Sequence, residues 1–114
     1  MSILSEAKEI ISGLGIPVET GVFKKEAPDT YVVLIPLVDT YRLSADNKPE
    51  VDLQELRITI FSKENYNKIK NRILKILIDK EFCITERKYN GYDTVTGYYQ
   101  YSIDIANNYQ LEEE

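Results

Sequence analysis

The residue types that most often carry out catalysis are scarce in this chain. The 114 residues include no histidine and a single cysteine, Cys83. Histidine is the commonest general acid–base group and a common metal ligand, so catalysis would have to depend on carboxylates, lysine, tyrosine or Cys83. Without histidine, Cys83 cannot form a Cys–His pair, and its position beside Phe82 and Ile84 at the start of an expected strand predicts a half-buried structural thiol.

Short catalytic and ligand-binding motifs are also missing from the sequence. No serine lies in a GxSxG context, and no GxxxxGK[ST] phosphate loop occurs. The pair Gly13 and Gly15 follows an expected helix and has no third glycine, unlike a dinucleotide-binding loop. The acids Asp46, Glu50 and Asp52 lack the central glycine of a calcium loop. We therefore predict a protein without catalytic activity, cofactor or metal site.

The net charge of −5, with a pI near 4.8, argues against binding to duplex nucleic acid, which normally needs a basic surface. Basic residues concentrate only in "KIKNRILK", residues 68–75, where helical spacing indicates a solvated helix face. The last hairpin mixes Arg87 and Lys88 with acids and does not form a phosphate track. We expect no specific nucleic-acid binding.

Compartment and membrane signals point to an ordinary folded domain. No stretch reaches 18 consecutive apolar residues, so no membrane contact is expected. The segment "MSILSEAKEII" lacks a basic region followed by an apolar run, which predicts part of the fold and not a signal peptide. The single cysteine excludes an internal disulfide and suits a reducing compartment.

Apolar periodicity predicts two helices. The first begins at an N-cap, Ser2, and ends at the glycines before Pro17. Its apolar residues recur at helical spacing: Ile3, Leu4, Ala7, Ile10, Ile11 and Leu14. The second covers "SKENYNKIKNRILKILIDKE", with Ser62 as N-cap.

Two long strands are predicted between the helices, after a short strand at residues 18–23. The run "TYVVLIPLVDTYRL" and the alternating "VDLQELRITIF" form a hairpin whose polar tip is residues 44–50. Pro36 cannot donate to a ladder, so it marks an edge position or a bulge.

The closing hairpin has two competing turns. Asn90-Gly91 is a strong two-residue turn signal, whereas a loop at residues 93–96 places Ile84 opposite Ile105. We favour the longer loop, with Asn90-Gly91 as a bulge.

These elements predict an α+β fold of order α-β-β-β-α-β-β. Two layers are expected, an antiparallel sheet of four to five strands with two helices packed on one face. Residues 1–108 would form a single domain and residues 109–114 an acidic C-terminal tail.

One strand of the sheet is apolar on both faces. Because two helices cover only one face, the face carrying Val32, Leu34 and Val38 is predicted to contact a second copy. A monomer whose second face is only modestly apolar is the alternative. In the closing hairpin, alternation assigns Tyr99 and Tyr101 to the core, and leaves Tyr92 and Tyr98 as partner contacts.

Nearly the whole chain resembles tail-terminator proteins of long-tailed phages and prophages, also called tail-completion, head–tail joining or minor capsid proteins. The resemblance lies in "ADNKPEVDLQELRITIFSK", the helix "ENYNKIKNRILKILIDKEF" and the hairpin "GYDTVTGYYQYSID". It implies the same α+β fold and a homohexameric ring at the tail–head junction of the virion, which stops tail-tube growth. The implied partners are the tail-tube protein and a head-completion or connector protein, with DNA passing through an acidic lumen.

Two hypotheses about partner contacts follow. Tyr41, Arg42 and Leu43 flank the polar tip of the long hairpin and are poorly explained by an internal core, so they are candidate contacts of a structural assembly protein. The alternative is a small soluble binding module that recognises a peptide or partner strand at an open sheet edge.

Overall fold

Two helices and five strands make up this chain in a computed structural model that describes residues 2–22, 26–43 and 49–110, with side chains left undescribed at 38–43, 49, 50 and 110. The elements are α1 (Ile3–Gly13), β1 (Val18–Thr20), β2 (Thr30–Leu43), β3 (Pro49–Ser62), α2 (Asn67–Asp79), β4 (Cys83–Tyr92) and β5 (Tyr99–Gln110). The predicted α+β class and element order are confirmed.

The five strands form one mixed sheet in the order β1-β2-β3-β5-β4. The prediction of a purely antiparallel sheet is wrong for β1, which pairs with β2 in parallel, with Val18 opposite Val32. Parallel strands cannot be joined by a tight hairpin turn, which is the connection that the antiparallel prediction assumed. The other three pairs are antiparallel, as alternation and turn chemistry predict.

Local irregularities fall where the sequence places them. The β2–β3 register shifts between Pro36 and Asp39, which confirms a bulge at the proline. Ile84 lies opposite Ile105 as predicted, although β4 ends at Tyr92 and β5 begins at Tyr99, so the connection is longer than four residues. Two bulges in β4 compensate for the longer connection, one of them at Gly91, whose φ of 116° favours glycine.

The two helix starts differ in how well the sequence predicts them. Ser2 caps α1 in a reciprocal capping box with Ser5, as expected. The prediction of Ser62 as the N-cap of α2 is wrong, because Ser62 pairs with Tyr99 as the last residue of β3. Its hydroxyl accepts a hydrogen bond from the Glu64 amide, and α2 begins only at Asn67.

Both helices pack on the same face of the sheet and share one core with it. The side chains that are completely buried there come from α1, α2, β2, β3 and β5: Ala7, Ile11, Ile73, Leu77, Val32, Leu34, Leu56, Ile58, Ile60, Ile103 and Ile105. The pleat explains this set, because alternate residues of each strand point to one face. None of the helices in the described part of the chain is long and apolar enough to cross a membrane.

The sheet continues past this core as a three-stranded arm. Buried residues of β3 begin at Leu56, but its pairing extends further, with Val51 between Arg42 of β2 and Gln110 of β5. The molecule measures 53 × 25 × 24 Å. Because β5 runs to Gln110, the predicted domain boundary at 108 falls inside a strand, and residues 111–114 of the expected tail lie outside the described residues.

Candidate functional site

The predicted contact residues Val32 and Leu34 lie in the core. Both are fully buried on the helix-covered face, opposite Ile60 and Ile58 of β3, so their assignment to a partner surface is wrong. The apolar run that contains them has no polar residue to indicate which face meets the helices. The opposite face of β2 instead carries Ile35, which is 40% exposed.

The face of the sheet without helices has a polar centre. Arg57 donates two hydrogen bonds to the Asp104 carboxylate, from Nε at 2.9 Å and from an Nη at 3.0 Å. These bonds raise the pKa of Arg57. Asp104 is nearly buried beside Arg57, and the two side chains lie in a trough of about 330 Å³. The ion pair thus replaces the apolar centre that a second packed layer would need.

A hydroxyl and amide network continues the same trough. The hydroxyls of Thr59 and Ser102 are 3.3 Å apart, and Asn90 Nδ2 donates to Ser102 Oγ at 2.6 Å. Sequence reasoning missed this network, although alternation already turned Arg57 and Thr59 away from the core. The β3–β5 register brings the polar side chains together, because it places Asp104 opposite Arg57 and Ser102 opposite Thr59.

Tyr98 is not the outward contact that the sequence predicts. It is only 7% exposed and meets the rings of Tyr31 and Phe61 edge-on, at centroid distances of 5.3 and 6.2 Å. Its hydroxyl donates to the Pro28 carbonyl at 2.6 Å, and the Lys63 ammonium lies 5.2 Å from its ring centroid. Tyr98 therefore stabilises the start of β5 and is removed from the contact candidates.

Other tyrosines gather at the surface near the start of α2. Tyr92 is 49% exposed and packs on Tyr99 with ring centroids 4.6 Å apart, while Tyr66 lies near Tyr89 and Tyr101 at 6.1 and 5.3 Å. We call these five residues, together with Lys70, the tyrosine cluster. Tyr101 packs against the core as predicted, but the assignment of Tyr99 to the core is wrong because it is 37% exposed.

One lysine, Lys70, lies over the rings of the tyrosine cluster. The Lys70 ammonium lies 5.1 Å from the Tyr101 ring centroid and 5.8 Å from that of Tyr66, within cation–π range. Residues 63–75 contain five basic side chains and a single acid, Glu64, in a chain of net charge −5. Burial first, and then the neighbouring Tyr89 and Tyr101, raise the pKa of Tyr66. The cluster is an exposed aromatic surface that includes one cation, Lys70.

A second concave surface lies between the two helices, toward the end of α2. This depression, the helix groove, has a volume of about 410 Å³. It is lined by residues of both helices: Glu6, Glu9, Ile10, Gly13, Leu14, Ile76 and Lys80. Glu6 accepts a hydrogen bond from the Tyr109 hydroxyl at 3.3 Å, which ties the groove to the arm. Its floor is apolar, and two carboxylates lie along α1.

The remaining contact candidates belong to the arm. The backbone of β2 pairs with β3 through Tyr41, Arg42 and Leu43, but these side chains and that of Val38 lie outside the described part of the chain. Of the predicted polar tip, residues 44–48 also lie outside it, whereas Pro49 and Glu50 already belong to β3. The arm candidates therefore stay predictions.

The cysteine and the possible metal ligands are the remaining residues with chemical potential. Cys83 is exposed on β4, so the prediction of a half-buried thiol is wrong. Among the described residues, no group of three or more His, Cys, Asp or Glu side chains is placed to hold a metal ion. No family model matches the chain, and no curated protein matches it. The features of the fold that bear on function are therefore its surfaces: the arm, the polar trough, the tyrosine cluster and the helix groove.

Proposed function

We propose that this chain is a non-enzymatic assembly protein of long-tailed phages, a tail terminator that forms a ring at the head-proximal end of the tail tube. In this role it stops tube growth and joins the tail to a head-completion or connector protein. The observation that carries the proposal is the three-stranded arm, a long projection of the sheet past the core.

The arm is a long extension of the sheet. Its part of β3, residues 49–55, precedes the first buried residue of that strand, Leu56, and corresponds to about 23 Å of extended chain. Within the arm, β3 is hydrogen-bonded to a strand on each side, and α1 is anchored to it where the Ile3 amide donates to Gln54 Oε1 at 2.8 Å. Ordering a segment that extends past the fully buried core residues costs entropy, so a role in reaching a neighbouring subunit or the tail tube explains it better than folding does.

The charge of the chain supports a ring through which DNA passes. A net charge of −5 disfavours adhesion to phosphates, because the protein surface repels them unless cations are concentrated along their path. The localisation that goes with this proposal is the tail–head junction of the virion, after assembly in the host cytoplasm. A homohexamer is the ring size that the family resemblance implies.

The arm is tested by shortening its tip. Replacing residues 44–48 with Asn-Gly, a turn compatible with a two-residue hairpin, retains the paired strands of β2 and β3. In a phage that encodes the chain, we expect the variant to fold with an unchanged melting temperature, while unjoined heads and tails accumulate. Val95→Ser, at an exposed turn far from the tip in sequence, is the control. Normal virions from the shortened variant would show that the arm has no assembly role.

A second candidate function is peptide recognition by strand addition. In the described part of the chain nothing pairs with the outer edge of β4, a ten-residue strand at the side of the sheet. Such an edge presents unpaired amides and carbonyls to an extended peptide. Light scattering over a range of concentrations separates the candidates, since rings favour the terminator, whereas a strict monomer that captures extended peptides favours the binding module.

A further inference from the structure

We propose that Asn90 is a site of spontaneous deamidation, which converts its carboxamide to a carboxylate in the polar trough of the free sheet face. Three observations carry the proposal: the residue that follows Asn90, its position in β4 and its hydrogen bond to Ser102. The modification is independent of the assembly role, because it needs only the folded chain and water.

The residue after Asn90 favours the reaction. Asn90-Gly91 is the only Asn-Gly pair among the 114 residues. Glycine has no side chain to hinder its own backbone nitrogen, and a Cβ added at Gly91 would meet nothing within 4 Å, so the space around it is open. The Gly91 nitrogen can therefore attack the side-chain carbonyl carbon of Asn90.

The products follow from this attack and from water. The new bond from the Gly91 nitrogen to Asn90 Cγ closes a succinimide ring, and the side-chain NH₂ leaves as ammonia with the proton of the Gly91 amide. Water then opens the ring at either carbonyl, adding its hydroxyl to the carbon and its proton to the nitrogen. The products are aspartate and isoaspartate, and no group is oxidised or reduced.

Asn90 lies at a weak point of β4. The register pairs Tyr89 with Tyr101 and Gly91 with Gln100, so in the described ladder Asn90 is the extra residue of a bulge and has no partner on β5. In addition, β4 is an edge strand of the sheet. An unpaired residue at an edge needs less local opening than one within a ladder, and such opening lets the Gly91 nitrogen turn toward the side chain.

A short hydrogen bond holds the reacting side chain. Asn90 Nδ2 donates to Ser102 Oγ at 2.6 Å, and the hydroxyls of Ser102 and Thr59 are 3.3 Å apart. Moving Asn90 Cγ toward the Gly91 nitrogen breaks the bond to Ser102, so this bond slows the reaction. Because Asn90 is exposed, water can replace Ser102 as the partner of the amide, and the reaction is slowed without being prevented.

Deamidation changes the charge of the trough. The charged side chains that line it are two cations and two carboxylates, which balance: Arg57, Lys88, Glu86 and Asp104. A carboxylate at position 90 makes this set net negative. It also accepts hydrogen bonds where the amide donated one, so the Ser102 hydroxyl has to become the donor. The free sheet face thus acquires a charge without the action of an enzyme.

Peptide mapping of the purified chain measures the reaction. No Lys or Arg follows Lys88, so trypsin releases residues 89–114 as one peptide that carries Asn90, Asn107 and Asn108. Tandem mass spectrometry assigns the replacement of NH₂ by OH to one of the three residues, and a zero-time sample corrects for deamidation during digestion. Asn107 and Asn108 precede asparagine and tyrosine, whose side chains hinder the attack, so they are internal controls.

Two variants separate the hydrogen bond from a general loosening of the network. Ser102→Ala removes the acceptor of the Asn90 amide, whereas Thr59→Val removes the other hydroxyl and leaves that acceptor in place. All chains are incubated at neutral pH, well below the melting temperature that circular dichroism gives for each. Ser102→Ala should convert Asn90 about fivefold faster than the wild type, the factor that a hydrogen bond of typical net strength provides. Thr59→Val should convert it at the wild-type rate.

Two further measurements relate the reaction to the folded state. In guanidinium chloride the wild type and both variants should convert Asn90 at one common rate, faster than the folded wild type does, because the Ser102 bond is then absent from all of them. In anion-exchange chromatography of the folded protein, the form that accumulates should elute with the variant Asn90→Asp, which carries the same added charge.

Three outcomes would overturn the proposal. The first is a folded wild type that keeps its Asn90 amide while the chain in guanidinium chloride loses it, because the fold would then protect the site. The others are equal rates in Ser102→Ala and the wild type, and conversion of Asn107 or Asn108 as fast as that of Asn90. None of these results affects the tip replacement in the phage, so the proposed function stands or fails separately.

Discussion

Leu34 and Leu37 lie in the same strand and distinguish the core face of the sheet from its free face. Leu34 is completely buried under the helices, and Leu37 is 37% exposed. Leu→Ala removes three carbons, about 2.4 kcal/mol of transfer free energy at roughly 0.8 kcal/mol each. At Leu34 a residual cavity adds to this, so we expect Leu34→Ala to lower the free energy of unfolding by about 4 kcal/mol. At Leu37 solvent fills the space, and we expect about 1 kcal/mol.

Urea unfolding followed by circular dichroism measures both costs. The concentration should be low enough that the protein is monomeric, because association adds to apparent stability. A loss of about 4 kcal/mol is a large share of the 5–15 kcal/mol that typical domains have, so the Leu34 variant unfolds at much lower urea. Equal costs at the two positions, or a larger cost at Leu37, would refute the assignment of Leu34 to the core and return its face to the contact candidates.

Three further predictions concern the closing hairpin. Gly91→Ala should lower the free energy of unfolding by about 1–2 kcal/mol, because alanine is strained at the backbone φ of 116°, although the added Cβ meets no neighbour. Thermal melting measures this loss, and an unchanged melting temperature would contradict it. Tyr98→Phe should lower the free energy of unfolding by about 1 kcal/mol, because the Pro28 carbonyl loses its hydroxyl donor. We expect self-association to be unchanged, and weaker association in sedimentation would return Tyr98 to the contact candidates. Hydrogen bonds from backbone amides, that of Val95 first, lower the pKa of Asp93 below its usual 3.8. The turn should therefore be held above about pH 4 and loosen as pH falls through the lowered pKa, seen as a falling protection factor of the Val95 amide relative to its intrinsic exchange rate. Asp93→Asn should make this protection factor independent of pH.

The order of elements and much of the register follow from local signals. Ser2 and its capping partner fix the start of α1, and the glycine at position 91 together with the apolar pairing of Ile84 and Ile105 fixes the last hairpin. These signals act over a few residues, so they can be read in the sequence. The α2 start was missed because strand pairing of Ser62, a contact between distant segments, prevailed over its capping tendency.

The surfaces were harder to predict because they depend on which segments meet. A continuous apolar run does not indicate its buried face, so Val32 and Leu34 were assigned to a partner. Charge balance along the hairpin alone did not show that Lys70, from another element, lies over Tyr101. Tyr92 is the exception, since its place at the mouth of the turn predicts exposure directly, and it is 49% exposed.

The polar centre of the free sheet face limits how copies of the chain can associate. If a second sheet packed flat on this face, it would remove the partly exposed Arg57 of the ion pair from water, and desolvation of an ion pair offsets much or all of its attraction. Contact of this sheet face with solvent avoids that cost. The exposed apolar side chains of the face, such as Ile35 on β2, lie toward one side of the polar trough. Contacts through the ends and edges of the fold are therefore favoured over face-to-face stacking. Where such a contact joins two different surfaces of the fold, it repeats around an axis, which is the geometry that the proposed ring of subunits requires.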